Sequence, residues 1–261
     1  MPSFHGRFCW YELTTSDKTA AESFYRDVLG WSAQDMDGPH GTYTILSASE
    51  IPVGGMMALP PDAGAAGARP GWGAYIAVDD VDDYAGRVTQ AGGAVLHGPA
   101  DIPGIARFAV VADPHGATFN LIKGFSTEPP KVPAPGTPGH AGWRELFAGD
   151  GDSAFAFYSK LFGWTKGESF DMGPMGTYQL FVIDGVPSGG MMTKCAEVPA
   201  PRWQYYFNVV DIDAAEARVK ERGGQILHGP MEVPGGSWIV QCTDPQGALF
   251  ALLEPNMSPA P

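Results

Sequence analysis

Apolar residues recur at helical spacing at Ala20, Ala21, Phe24, Tyr25, Val28 and Leu29, and this spacing predicts an amphipathic helix. Ser16 or Asp17 is placed to cap its first turn, and Gly30 to end it in the left-handed conformation that glycine tolerates. Residues 10–14, 43–47 and 53–59 read as strands around that helix. The pattern then starts over, with a strand over 74–78 and a helix over 81–90 stopped by Gly92-Gly93. Strands over 94–97, 108–112 and 118–122 follow. Asp113-Pro114-His115-Gly116 reads as a turn, with proline preset at its second position and glycine at its fourth.

Strand parity separates two faces. Ala74, Ile76 and Val78 share one face, as do Tyr205, Phe207 and Val209, and these apolar sets are expected to pack under helices. The opposite face carries Gly73, Tyr75 and Ala77 in one set and Gln204, Tyr206 and Asn208 in the other. Asn120 falls on that second face of the last strand, and Trp10 and Glu12 share a face, as do Trp143 and Glu145. Tryptophan, tyrosine, amides and a carboxylate on one sheet face are what a ligand cavity needs, namely apolar walls with a few placed polar groups.

The whole pattern occurs twice. Trp10-Tyr11-Glu12-Leu13, Asp17, Phe24-Tyr25 and Leu29-Gly30-Trp31 return as Trp143-Arg144-Glu145-Leu146, Asp150, Phe157-Tyr158 and Phe162-Gly163-Trp164. Gly41-Thr42-Tyr43 returns as Gly176-Thr177-Tyr178, and Gly54-Gly55-Met56-Met57 as Gly189-Gly190-Met191-Met192. Leu96-His97-Gly98-Pro99 returns as Leu227-His228-Gly229-Pro230, and Asp113-Pro114-His115-Gly116-Ala117 as Asp244-Pro245-Gln246-Gly247-Ala248. A repeat about half the chain long means two homologous domains rather than a solenoid. The expected layout is a first domain over 1–126, a stiff proline-rich linker over 127–139 and a second domain over 140–257. The fold class is α+β, with four βαβββ modules in two tandem domains.

Composition narrows the function. The formal net charge of −13, with no basic cluster, disfavours nucleic acid and anionic membrane surfaces. Cys9, Cys195 and Cys242 form no C-x-x-C, so a reduced protein of the cytoplasm is expected. No apolar run is long enough for a membrane helix, and the first ten residues lack a signal-peptide core.

Paired modules, Phe-Tyr in the first helix, Gly-Trp after it and Asp-Pro-x-Gly before the last strand resemble the vicinal oxygen chelate superfamily. That superfamily includes glyoxalase I, extradiol dioxygenases, fosfomycin-resistance enzymes and bleomycin-binding proteins. The opening Trp-x-Glu-Leu and the tandem layout are most similar to its two-domain glyoxalase-like members. The resemblance implies paired modules curling their sheets around a cavity, with metal ligands on its strands. Its ligand positions fall on Trp10, Gly73 and Asn120 in the first half and on Trp143, Gln204 and Ala251 in the second. Indole, glycine and alanine offer no side-chain donor, and amides are weak ligands, so no metal residues and no cofactor are predicted, with a divalent metal left open as the alternative.

Glu12 and Glu145 are the candidate catalytic residues, as a general base or substrate anchor, or else as partners of an arginine or a backbone amide. Trp10, Tyr75, Asn120, Trp143, Tyr178, Met191, Gln204, Tyr206, Asn208 and His228 are the candidate substrate-binding residues. One methionine of each pair is expected in the core, because neighbours on a strand point to opposite faces. His97 and His228 precede a Gly-Pro turn and suit a rim or structural role. His5, His40, His115 and His140 read as solvated. Three functions stay open: a glyoxalase-like lyase or isomerase acting on an α-oxo or aromatic compound, a binder that sequesters a small molecule, and a scaffold whose cavities are filled. The expected partner is a small organic ligand, and the expected state a monomer or homodimer.

Overall fold

In the computed structural model, which describes residues 4–38, 41–60, 64, 67–126 and 131–256, each sequence block becomes a strand, a helix and three strands. The first module is β1 (Phe8–Thr15), α1 (Lys18–Leu29), β2 (Ser32–Gly38), β3 (Gly41–Ala48) and β4 (Ile51–Ala58). The second is β5 (Gly71–Ala77), α2 (Val81–Gln90), β6 (Ala94–Ile102), β7 (Ala106–Ala112) and β8 (Thr118–Gly124). The third is β9 (Ala141–Ala148), α3 (Gly151–Phe162), β10 (Thr165–Asp171), β11 (Thr177–Ile183) and β12 (Val186–Thr193). The fourth is β13 (Arg202–Asn208), α4 (Ile212–Glu221), β14 (Gln225–Glu232), β15 (Trp238–Thr243) and β16 (Leu249–Glu254). Strands run in the order β2-β3-β4-β1-β5-β8-β7-β6 in one sheet and β10-β11-β12-β9-β13-β16-β15-β14 in the other.

Local chemistry starts and stops the helices. Asp17, Asp80, Asp150 and Asp211 each accept a hydrogen bond from the backbone three residues on, satisfying an amide the helix leaves unpaired. Gly30 and Gly163 end α1 and α3 at φ of 72° in both cases, where a side chain would be strained. No helix among the described residues is long and apolar enough to cross a membrane.

Three features differ from the sequence expectation. β2 and β10 are the strands of the βαβββ pattern to which the sequence assigned no residues, hidden because they lie at sheet edges and their sequences, SAQDMDG and TKGESFD, show no apolar alternation. Gly98-Pro99 and Gly229-Pro230 do not end their strands but lie inside β6 and β14, where the register with the next strand shifts. Both strands are outermost in their sheets, the setting in which proline's missing N–H is tolerated. His140 is buried, not solvated, at 6% exposure. His40 and linker residues 127–130 lie outside the described residues, as does 257 at the end of the second predicted domain.

The compact units do not coincide with the sequence halves. One comprises the described residues of 1–10, 73–130 and 144–203, the other those of 11–72, 131–143 and 204–261. Each therefore joins a module from the first half of the chain to one from the second. The repeated motif residues make these joints. In one unit the Tyr25 hydroxyl, from α1, donates to Asp244 Oδ2 at 3.1 Å and accepts from Trp72 Nε1 at 2.9 Å. Asp244 Oδ1 in turn accepts from the backbone amides of Gln246 and Ala248. Trp31 Nε1 donates to the Gly139 carbonyl at 2.8 Å.

The other unit repeats the device. Tyr158 donates to Asp113 Oδ2 at 3.3 Å and accepts from Trp203 Nε1 at 3.1 Å, while Trp164 Nε1 donates to the Gly6 carbonyl at 2.8 Å. Gly139, at φ 78°, has no room for a side chain, since a Cβ there would stand 2.8 Å from Ala48 Cβ. Tyr25 stacks on Trp31 and Tyr158 on Trp164, so each clamp is apolar in bulk and hydrogen-bonded at its tip. Burial pushes the Asp244 carboxyl above the ordinary aspartate value against the pull of its hydrogen bonds.

His140 gives the unit that holds Tyr25 and Asp244 a pH dependence. Burial lowers its pKa, opposed by a hydrogen bond with the Ala48 backbone, and Nε2 is buried with no hydrogen-bond partner among the described residues. The unfolded chain then binds a proton more readily than the folded one. Stability is complete above the ordinary histidine value of about 6.5 and falls as pH drops below it. Urea midpoints measured across this range should fall towards acid in the wild type and flatten there in His140→Gln.

Candidate functional site

Burial alternates along β1, placing Tyr11, Leu13 and Thr15 in the core and Trp10, Glu12 and Thr14, all half-buried, on the face turned away from the helices. Glu12 lies opposite Gly55 of β4, and Gly55 opposite Ile45 of β3. A Cβ on Gly55 would collide with the ring of Tyr43. The missing side chain is what lets that ring lie across β4, and the Tyr43 hydroxyl donates to Glu12 Oε2 at 2.9 Å. The preceding glycine, Gly54, has a separate reason, because a Cβ there would meet the Tyr11 carbonyl.

The third module rebuilds this arrangement with a different surround. Glu145, buried at 8% exposure, lies opposite Gly190, whose missing side chain is filled by the ring of Tyr178. Phe147, two residues along the strand, replaces Thr14, and the Arg202 guanidinium sits 4.7 Å from its ring centroid. The paired glycines predicted only as part of a repeat are therefore the floor on which each tyrosine approaches its glutamate. Gly190→Ala should destabilise the protein by about 1–3 kcal/mol through overpacking. The same change should cost much less when Tyr178→Ala has already emptied the space, a difference that urea denaturation of the four-member cycle measures.

The remaining predicted residues divide among these faces. Met191 lies opposite Leu146 in the core, and Met192, opposite Phe147, is the methionine that shares the face of Glu145. That corrects the choice of Met191: β12 has the parity set by the Gly190–Glu145 pairing. Tyr75 lies opposite Asn120, both buried, with the Asn120 amide beside Gly73. Gln204, Tyr206 and Asn208 are all buried on β13. Asn208 is committed to the chain before β9, donating to the Thr137 carbonyl at 3.1 Å. His228 is exposed on β14, opposite Gln241. Trp72 and Trp203 serve the clamps through their indole N–H groups. Trp143, like Trp10, is half-buried on its first strand.

Sequence reading did not single out Tyr43 or Gln241. Tyr43 was within reach, since its repeat counterpart Tyr178 was chosen. Gln241 donates to the Tyr206 hydroxyl at 2.7 Å, and its signal is a single polar residue inside the apolar run of β15.

The resemblance assigns metal ligands to six strand positions. They are an indole, a glycine and an amide in one half and an indole, an amide and an alanine in the other. Among the described residues no three of His, Cys, Asp and Glu come together as a metal-holding group.

The chain is thus built of four βαβββ modules, with a carboxylate on the first strand of the first and third modules, each beside a glycine over which a tyrosine ring lies. The family model described as the Glyoxalase/Bleomycin resistance protein/Dioxygenase superfamily matches residues 7–121 and again 138–252, and the chain belongs to that superfamily. It is 32% identical over 252 residues to "Putative glyoxylase CFP32" of Mycobacterium tuberculosis, covering 94% of each chain. It is also 32% identical over 261 residues to "Anthracycline biosynthesis protein DnrV" of Streptomyces peucetius, covering 95% of this chain and 93% of that protein. Among solved structures, the Mn(II)-bound glyoxalase from Novosphingobium aromaticivorans has the same fold, with a TM-score of 0.67 at 16% identity over 96% of this chain and 82% of that one. The 2,2',3-trihydroxybiphenyl 1,2-dioxygenase of Sphingomonas wittichii gives a TM-score of 0.67 at 14% identity, covering 96% and 90%.

Proposed function

We propose that the protein binds a small organic molecule carrying a carbonyl group, α-oxo or aromatic, on the helix-free faces of its sheets. In this reading Glu12 or Glu145 moves a proton at the carbon next to that carbonyl. The observation that supports it is the Glu12–Tyr43 hydrogen bond over Gly55, with the same three residue types brought together again at Glu145, Tyr178 and Gly190. A carboxylate held by a phenol keeps one rotamer and one aim, which a general base needs before its basicity matters. Tyr43 and Tyr178 are positioning residues in this account. Because the donor set does not fit a metal, the proton transfer is assigned to the carboxylates alone. The relatives named as a glyoxylase and as an anthracycline biosynthesis protein point to the same chemistry, carbonyl-bearing and aromatic compounds.

The second reading, a binder without turnover, draws on the same departure from the superfamily's ligand positions, as sequestering relatives need no reactive centre. Glu145→Gln separates the two. The experiment measures both affinity and turnover for a panel containing an α-ketoaldehyde–glutathione adduct and aromatic ketones. An enzyme loses turnover in the variant and keeps affinity. A binder shows affinity for a panel member and no turnover in the wild type.

A further inference from the structure

The fourth module carries a polar row that the first half of the chain does not share. His228, Gln241, Ala251 and Tyr206 lie side by side across β14, β15, β16 and β13, pairwise in register, so their side chains leave the same face. Exposure rises along the row, from Tyr206 at 2% through half-buried Gln241 to exposed His228. Neighbouring strands stand about 4.8 Å apart, so Gln241 and Tyr206 are separated by roughly twice that distance across β16. Their hydrogen bond of 2.7 Å closes only because Ala251, between them, has a single methyl group. A long side chain at 251 would occupy the space through which the amide reaches.

The matching row of the second module has Val110, Asn120 and Tyr75. Valine has no donor, and the amide sits on the middle strand instead. The two halves thus keep the tyrosine and differ in what addresses it. In the fourth module the Gln241 amide donates to the phenol oxygen. A hydroxyl that accepts one hydrogen bond is polarised into a stronger donor of its own hydrogen. Gln204, buried at 1% exposure two residues before Tyr206 on the same strand, adds a further amide to that face.

We propose that Tyr206, positioned and polarised by Gln241, is a specificity-determining donor to a carbonyl or enolate oxygen of the ligand, and that the second half of the chain, not the first, selects ligands by that oxygen. This rests on the reading that a small carbonyl-bearing molecule binds on the helix-free faces. Tyr206 touches the ligand, and Gln241 acts through Tyr206.

The test uses the full chain and two probes, an anthraquinone and the corresponding anthracene, each bearing the same short polyether chain for solubility. They differ only in the quinone oxygens. Affinities come from quenching of tryptophan fluorescence. The wild type should prefer the quinone by about five- to tenfold, the worth of one well-made hydrogen bond. Tyr206→Phe should reduce that preference to about one without weakening the anthracene. Gln241→Glu should do the same, because a carboxylate accepts from Tyr206 and turns its hydrogen away from the ligand. Tyr84→Phe, on α2 in the first half, should leave the preference intact. A merely structural role for Gln241 would weaken both probes together and leave their ratio unchanged. A preference that survives both Tyr206→Phe and Gln241→Glu overturns the inference, as does equal binding of the two probes to the wild type. Failure of the anthraquinone to bind the wild type overturns the underlying reading of an aromatic carbonyl ligand, and this inference with it.

Discussion

Asp244→Ala should lower the unfolding free energy by about 2–4 kcal/mol, the cost of breaking a buried hydrogen-bond network. One carboxylate there serves the Tyr25 hydroxyl through one oxygen and the Gln246 and Ala248 amides through the other. Alanine strands all three donors, two of them backbone. Asp244→Asn retains an acceptor for the amides and loses only the acceptor for Tyr25, so it should cost about half as much. Asp113→Ala should repeat the large effect, because Asp113 serves Tyr158, His115 and Ala117 in the same way. Urea denaturation with unchanged slope is the readout. Either alanine variant within about 0.5 kcal/mol of the wild type would show that its clamp does not stabilise the unit in which it lies.

The second large effect concerns the chemistry. Glu145→Gln keeps the shape of the side chain and removes its basicity, and should lower turnover of a substrate processed in the second half by about 10²–10⁴-fold. Affinity for that substrate should change little. Tyr178→Phe, which leaves the carboxylate but not the phenol, should cost less, since it removes an aim rather than a base. Equal losses in the two variants would place the tyrosine in the reaction itself. Loss of turnover in Glu12→Gln alone would move the active site to the first half.

Much of this was written in the sequence, and the part that was not has physical reasons. The helices were legible because their apolar periodicity, aspartate caps and terminal glycines agree. The glutamates were legible by parity, each two residues from a tryptophan on its strand, with core Tyr11 between them on β1 and half-buried Arg144 on β9. The edge strands β2 and β10 were not, because a strand with one neighbour and two wet faces has no alternation to read. Met191 was taken for Met192 because adjacent identical residues give no parity of their own; the pairing of Gly190 with Glu145 supplies it.

The clamps show the deeper limit. Tyr25, Trp31 and Asp244 stood out as repeated residues, and repetition identified the superfamily without saying what the residues do. Tyr25 and Asp244 are 219 positions apart, and no local pattern announces that a tyrosine in the first module needs an aspartate in the fourth. Likewise, Tyr206 was chosen for its face, while the glutamine that addresses it lies on another strand and is joined to it across an alanine. Periodicity finds faces; it does not find partners.

In the proposed function a carboxylate positioned by a tyrosine moves the proton, and no bound metal is required. The most direct test is turnover of the α-ketoaldehyde–glutathione adduct by protein stripped with a strong chelator, for the wild type and for Glu12→Gln, Glu145→Gln and the double variant. Turnover should survive stripping, should not rise with added divalent metals, and should disappear in the double variant. Turnover that vanishes on stripping and returns only with metal would contradict the proposed function, as would turnover that persists when both glutamates are gone.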